Sequence, residues 1–410
     1  MPSVVISARG EQRVREGHPW IYRSDVTDVD AEGGDIVQVV AMTQPASPKR
    51  RSRDAGPASP ERRSRDGGRT VGYALFSDRS QIPIRMLSRG EAVADASLVR
   101  RRLETALRYR EALKLDADAY RLVHGEADLL PSLVVDRYGD YLVMQALSQG
   151  IDRLMPAITR FLVELCQPAG ILARNDPKVR LLEGLAQTVE VLYGSIPDTV
   201  VVREGPVEYE VDLHRGQKTG LFLDQRENRE AAARYAHGRL LDCFSYNGGF
   251  ALRLARQCPE AEAIDISSDA VSRIRSNAAR NGLAHLQARE ANVFDELRRL
   301  ERAGERYDTV VLDPPAFAKN KASIPNALAG YKEINLRAMR LLSPGGYLVS
   351  CSCSYNVHED MFAEVLHEAS VDSHTPVTVV EKRTQGRDHP VLVGAPETHY
   401  LKCFILRRVE

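Results

Sequence analysis

Apolar positions in the C-terminal half of the chain fall into short blocks, each followed by a stretch with helical periodicity. Leu240, Leu241 and Phe244 form the first block, which stops at Asn247-Gly248-Gly249 before a helical pattern over 250–257. That is the pattern of strand, glycine turn and helix. Ala263-Ile264-Asp265-Ile266-Ser267 ends a second block on an acid, and a third runs up to Asn292-Val293-Phe294-Asp295. Tyr307 to Leu312 is nearly continuous in apolar residues, as in parallel strands covered on both faces, and ends at Asp313-Pro314-Pro315. Ser343-Pro344-Gly345-Gly346 predicts a turn into a last strand, Tyr347 to Cys353. Four strand–helix alternations between 240 and 353 predict an α/β fold, a doubly wound parallel sheet with its ligand at the carboxyl ends of the strands.

The first 200 residues are patterned differently. Asp35 to Val40 and Thr70 to Phe76 read as strands, and with glycine turns and the aromatics Trp20 and Tyr22 they predict a small β-barrel reaching residue 88. Between them a 12-residue unit occurs twice, Pro45 to Gly56 and Pro57 to Gly68. Residues 45–69 lack apolar periodicity and are read as a disordered insertion at a hairpin tip, without a role of their own. Asp95 to Leu115 reads as an arginine-rich helix, and Ser132 to Gln145 as a β-hairpin with Arg137 to Asp140 near its turn. The expected division is a small β domain over 1–88, an α+β domain over 89–200 and the α/β domain over 201–410.

Formal charge is zero and the pI near 7.2, so no overall field draws the chain onto nucleic acid. A local cluster, Arg100-Arg101-Arg102 with Arg108 and Arg110, is read first as a solvated helix face. The six cysteines (166, 243, 258, 351, 353 and 403) form no CxxC pair, which predicts reduced thiols and no metal site. No run approaches 18 apolar residues, and Met-Pro-Ser-Val-Val-Ile has no charged segment ahead of an apolar core. A cytoplasmic chain, neither exported nor membrane-spanning, is therefore expected.

A glycine turn after the first strand lets a ligand approach the backbone where a Cβ would collide. An acid at the second strand tip is placed to accept both ribose hydroxyls of a nucleoside, although Asp265, Ser267 and Ser268 equally suit a helix cap. Asn292 can meet an adenine edge or cap a helix. There is no Gly-x-Gly-x-x-Gly at the first strand and there is an Asp-Pro-Pro at the fourth, an order that predicts S-adenosylmethionine (AdoMet) rather than a dinucleotide.

Longer strings add a resemblance. Gly125 to Asp140, Gln217 to Arg229, Asp313 to Lys319 and Ser352-Cys353-Ser354 together resemble the ribosomal RNA large-subunit methyltransferase I family, over nearly the whole chain apart from 45–69. The resemblance implies an N-terminal PUA domain, a central α+β domain and a Rossmann-like methyltransferase domain. It implies 5-methylcytosine in 23S rRNA as product, and rRNA or a large-subunit assembly particle as partner; the oligomeric state stays open, a homodimer included. It also implies that Lys218, Thr219, Phe222, Asp224 and Gln225 line the methionine end of AdoMet, that Asp242 underlies the turn, and that Asp265 takes the ribose. Phe244, Asn247, Gly248, Ile266, Ser267, Asn292, Val293, Asp313 and Pro314 complete the expected cofactor site. Many relatives carry an acid at the position of Asn292, whose amide oxygen can still accept from the adenine amino group.

Carbon 5 of cytosine is too weak a nucleophile to take a methyl unaided, so a thiolate must first add to carbon 6. Cys351 and Cys353 share one face of the last strand, and Cys353 is nearer its carboxyl end, which makes Cys353 the expected nucleophile. Asp313 is the expected partner of cytosine N3. Two alternatives stay open: methylation of a guanine or adenine nitrogen, which needs no thiol, and a non-catalytic RNA-binding assembly factor.

Overall fold

The computed structural model describes residues 1–42, 68–90, 92–318 and 320–410. The expected insertion lies outside the described residues except for Gly68 and Arg69, which are the first residues of a strand and so do not belong to it.

The N-terminal domain comprises β1 (Ser3–Ile6), α1 (Ala8–Arg15), β2 (Trp20–Ile21), β3 (Val26–Asp30), β4 (Ile36–Met42), β5 (Gly68–Phe76) and β6 (Ile84–Arg89). Its six strands pair in the order β2-β6-β5-β4-β1-β3. Alternate residues Val37, Val39 and Ala41 of β4 face Val4, Ile6, Val14 and Ile84 in a small core, the period-2 burial that a sheet covered on one face requires.

The central domain contains α2 (Ala96–Leu113), β7 (Ala119–His124), β8 (Leu133–Tyr138), β9 (Tyr141–Ala146), α3 (Gln149–Cys166), β10 (Gly170–Asn175), α4 (Val179–Leu182) and β11 (Thr188–Gly194). Its strands lie in the order β11-β10-β9-β8-β7. Asp95 caps α2 by accepting from the Leu98 N–H at 2.9 Å. The helices α2 and α3 cover one face, packing Leu103, Ile151 and Leu162 on Val123, Val135, Met144 and Ile171. The other face carries Tyr138, Val143 and Leu172 into a core shared with the C-terminal domain. The arginine cluster is not simply solvated. Arg102 donates to the carbonyls of Leu87 and Leu129, and buried Arg110 grips Asp128 at 2.8 Å, so both tie α2 to its neighbours.

A hairpin of β12 (Val200–Glu204) and β13 (Val207–Val211) leads into the C-terminal domain. This comprises α5 (Arg226–Ala233), β14 (Arg239–Cys243), α6 (Gly249–Leu254), β15 (Glu260–Asp265), α7 (Ser268–Arg280), β16 (Leu286–Glu290) and α8 (Val293–Arg302). It continues with β17 (Tyr307–Leu312), α9 (Ile324–Leu341), β18 (Leu342–Ser352), α10 (Glu359–Ser373), β19 (Val377–Arg383) and β20 (Lys402–Arg408). The strand order is β16-β15-β14-β17-β18-β20-β19, parallel except at β20. The doubly wound sheet is as expected, with its winding reversing between β14 and β17, where an open sheet leaves a crevice. Residues 343–346 belong to β18, with the ladder to β17 irregular there, rather than forming a separate turn. Among the described residues no helix is long and apolar enough to cross a membrane.

The loop between β19 and β20 packs against α5 and β7 and is pinned there by Asp388. This fully buried carboxylate accepts from Arg226 at 2.9 and 3.1 Å and from the Arg121 N–H at 2.9 Å. Burial works against its charge, but His389 and Arg226 outweigh burial and hold its pKa well below the usual range. Asp388→Ala strands the Arg226 guanidinium in the interior, so a loss of about 3–5 kcal/mol is expected in chemical denaturation. A loss below about 1 kcal/mol, the range of exposed ion pairs, would show that the loop is not anchored there.

Candidate cofactor and catalytic site

The turn after β14 has left-handed backbone at alternate positions: Phe244 (φ 61°), Tyr246 (φ 51°) and Gly248 (φ 86°). Two of the three are not glycine, and such residues persist only where their surroundings hold them. Here Asp265 at the tip of β15 accepts from the Tyr246 N–H at 2.8 Å with one carboxylate oxygen and from the Ser267 N–H at 3.0 Å with the other. Beneath the turn, Asp242 accepts from Ser245 Oγ at 2.5 Å and from the Ala251 N–H at 2.9 Å, all through Oδ2.

Three buried polar atoms at this crevice lack partners among the described residues: Asp242 Oδ1, Asp224 Oδ1 and Asn247 Nδ2. An amino-acid moiety answers all three, since its ammonium donates to carboxylate oxygens and its carboxylate accepts from an amide. The residues present therefore fit the methionine end of AdoMet, with Lys218 available for the carboxylate. Ile266, the residue after Asp265, is 68% exposed, an apolar side chain open to a flat base.

Several expected residues are placed otherwise. Thr219 is buried and its hydroxyl donates to Asp136 at 2.6 Å and bonds Tyr138 at 2.9 Å, so it joins the domains rather than facing a cofactor. Val293 packs into the core with Leu241 and Cys243 of β14. Asn292 caps α8, its Oδ1 accepting from Phe294 and Asp295, and Ser267 caps α7. The oxygen expected to accept from adenine is thus already engaged. Phe244 sits in an aromatic cluster with Phe294 and Phe317, and Phe222 stands edge-on to Tyr246 under the Lys218 ammonium.

On the other side of the crevice, Asp313 follows β17 and Cys353 follows β18, one residue past the strand that was expected to contain it. The Cys353 thiol faces the Pro314 carbonyl at 3.8 Å. Gln225 Nε2 donates to Asp313 at 2.8 Å while its oxygen accepts from Asn228 at 2.7 Å, which fixes the orientation of the amide. Burial raises the Asp313 pKa to about 6, with the nearby Asp224 charge adding to it. Burial also raises Cys353 to about 11, against the pull of Lys218. Asp224 accepts from both Lys218 and Tyr400 at 2.7 Å; burial opposes its charge, but Lys218 and His389 keep it ionised. Cys351 is buried in β18 opposite Cys403, well shielded from any ligand.

Tyr246, Tyr400 and Lys402 had no signal in the sequence. Lys402 is buried with its ammonium on the carbonyls of Ser354 and Tyr400 at 2.7 and 2.8 Å, and burial lowers its pKa to about 8. Only the fold brings these side chains to the ends of β14 and β18.

Burial raises Asp242 to about 7, with Asp313 and Asp265 adding charge repulsion. A carboxyl raised on folding binds its proton more tightly in the native state, so its contribution to stability falls as pH rises from about 4 to about 7. Asp242→Asn keeps an acceptor for Ser245 and Ala251, and is expected to flatten the melting temperature between pH 5 and pH 8. An unchanged slope would mean that Asp242 is ionised throughout.

These features define an AdoMet-dependent methyltransferase. Residues 141–396 match the family of S-adenosylmethionine-dependent methyltransferases and residues 4–44 a PUA-like domain. The ribosomal RNA large subunit methyltransferase I of Shewanella denitrificans is 36% identical over 97% of both chains, and that of Erwinia tasmaniensis 36% over 98% of both. The chain belongs to the ribosomal RNA large subunit methyltransferase I family. Its whole fold is shared with a Streptococcus mutans SAM-dependent methyltransferase (TM-score 0.80, 18% identity, 99% of this chain and 100% of that one). A methyltransferase solved with SAH has the same fold (TM-score 0.81, 19% identity, 99% and 100%).

Proposed function

We propose that this protein methylates carbon 5 of a cytosine in 23S ribosomal RNA through a covalent Cys353 adduct. The observation that carries this reading is the meeting of a half-buried thiol and a carboxyl of raised pKa at adjacent strand ends, beside the methionine end of the cofactor site. Bound AdoMet supplies a methyl group on a sulfonium. Cys353 is a thiol in the free protein, so its proton must leave as sulfur adds to carbon 6. Asp313, ionised at neutral pH and held by Gln225, is the nearby group able to take that proton and deliver it to N3. That addition moves the ring double bond to carbon 4–carbon 5, and its electron pair then forms the new carbon–methyl bond. Loss of the carbon-5 proton re-forms the carbon 5–carbon 6 double bond as the thiolate leaves, and the N3 proton returns through Asp313 to the sulfur. The charges of exposed Lys218 and buried Lys402 both favour a thiolate at Cys353.

The substrate is read as rRNA because the named relatives are rRNA methyltransferases. Mass spectrometry of rRNA from a strain lacking the gene tests this. Loss of one 5-methylcytosine from 23S rRNA, restored by the wild-type gene, is expected; loss of a methylated guanine or adenine instead would contradict it.

A further inference from the structure

Two cavities on the C-terminal domain, of about 350 and 700 Å³, adjoin at His399, which lines both, and at the start of α10, where His358 lines the smaller and Glu359 the larger. Together they make one groove. Its near end is a slot of Tyr355, Val391, Leu392 and Val393, with Tyr355 44% and Val393 97% exposed. Tyr355 is two residues past Cys353, so chain geometry holds their Cα atoms within about 7 Å of each other. The N-terminal domain braces the slot, since His18 Nε2 lies 3.2 Å from a carboxylate oxygen of Glu397 in the loop that carries the valines.

The far part of the groove is lined by cations with donors to spare. Arg234 is exposed and forms no ion pair among the described residues. Arg387 donates its Nε to Glu227 at 2.8 Å, which leaves both terminal nitrogens without partners among the described residues, and its side chain is 61% exposed. Arg383 spends Nε on Asn228 and Nη1 on Glu381, with Nη2 left over. Lys382 pairs with Glu359 at 3.2 Å on the surface, and Glu230, the remaining acid of the wall, is taken by Arg253. Surface pairs of this kind contribute little in water, so a phosphate can share these cations at small cost. Tyr109 of α2 donates to the Arg387 carbonyl at 2.9 Å, so the arginine-rich helix borders the groove at that end. An aromatic slot followed by a row of cations suits single-stranded nucleic acid, whose bases stack on the ring while its phosphates follow the charges. A duplex has no free base face to offer Tyr355.

We propose that this groove holds the unpaired RNA strand flanking the target nucleotide, with a neighbouring base stacked on Tyr355 and the phosphates beyond it over Arg234, Arg383 and Arg387. The proposal rests on the reading of the substrate as rRNA and deepens it, but is independent of which atom of the target is methylated. The target nucleotide then lies in a single-stranded segment.

The test uses the full-length protein and a fluorescein-labelled single-stranded oligocytidine, with affinity read by fluorescence anisotropy over a range of salt. Tyr355→Ala is expected to weaken binding by about tenfold or more, the scale of one lost stack, with the salt slope unchanged; Tyr355→Phe, which keeps the ring, is expected to recover it. Arg234→Ala and Arg387→Ala combined in one protein are expected to lower the slope of log affinity against log salt by about 1.4, two phosphates at about 0.7 each. AdoMet affinity in calorimetry should stay at the wild-type value in all three. Wild-type affinity in Tyr355→Ala, or an unchanged slope in the double variant, would overturn the proposal. If the deletion strain loses an rRNA methylation while the groove variants bind the probe like wild type, the groove alone falls. If that strain loses none while the groove variants bind the probe poorly, the rRNA reading falls and the groove stands as a site for single-stranded RNA.

Discussion

Cys353→Ala is expected to abolish methyl transfer, by on the order of 10³-fold or more, while leaving AdoMet affinity unchanged. The loss should be complete because no neighbour can substitute. Cys351 lies within β18 opposite Cys403, fully buried, and its pKa is pushed well above that of a free thiol by burial and by Cys403. Cys353 alone stands past the strand end, with its thiol on the Pro314 carbonyl. Methyl transfer from radiolabelled AdoMet into rRNA reports turnover, and calorimetry reports cofactor binding. Activity retained in Cys353→Ala would favour methylation of a ring nitrogen, and simultaneous loss of AdoMet affinity would assign Cys353 to the cofactor site instead.

Asp265→Ala is expected to weaken AdoMet binding by well over tenfold, since two charge-assisted hydrogen bonds to a ribose contribute roughly 1.5–3 kcal/mol each. A second effect adds to the first. The same carboxylate holds the Tyr246 N–H, and with it the left-handed turn, as well as the Ser267 N–H that opens α7. Asp265→Asn keeps one acceptor oxygen and should retain part of the affinity, which separates the ribose contacts from collapse of the turn. Equal affinity of Asp265→Ala and wild type in calorimetry would remove Asp265 from the cofactor site.

Periodicity made the parallel sheet legible, because strands buried on both faces leave unbroken apolar blocks such as Val310-Val311-Leu312. The glycine turn and the acid that ends β15 were legible for the same reason, as residues that interrupt such blocks. Thr219 and Val293 were misplaced because a string of residues does not say which way each side chain points: Thr219 turns to Asp136, some 80 residues earlier in the chain, and Val293 turns into the core. Asn292 met two readings that sequence could not separate, and capping α8 prevailed because the helix needs those acceptors at once. Tyr400 and Lys402 were invisible: they lie on the antiparallel strand and its loop, which carry no nucleotide-binding pattern.

The covalent step is tested most directly with 23S rRNA containing 5-fluorocytidine at the target position. Fluorine replaces the proton whose loss would release the enzyme, so turnover should halt after methyl transfer with Cys353 still bound to carbon 6. A protein–RNA band that survives denaturation, requires AdoMet, forms with wild type and Cys351→Ser and is absent with Cys353→Ala is the predicted result. No adduct with wild type under conditions where unmodified RNA is methylated would contradict the cytosine carbon-5 mechanism.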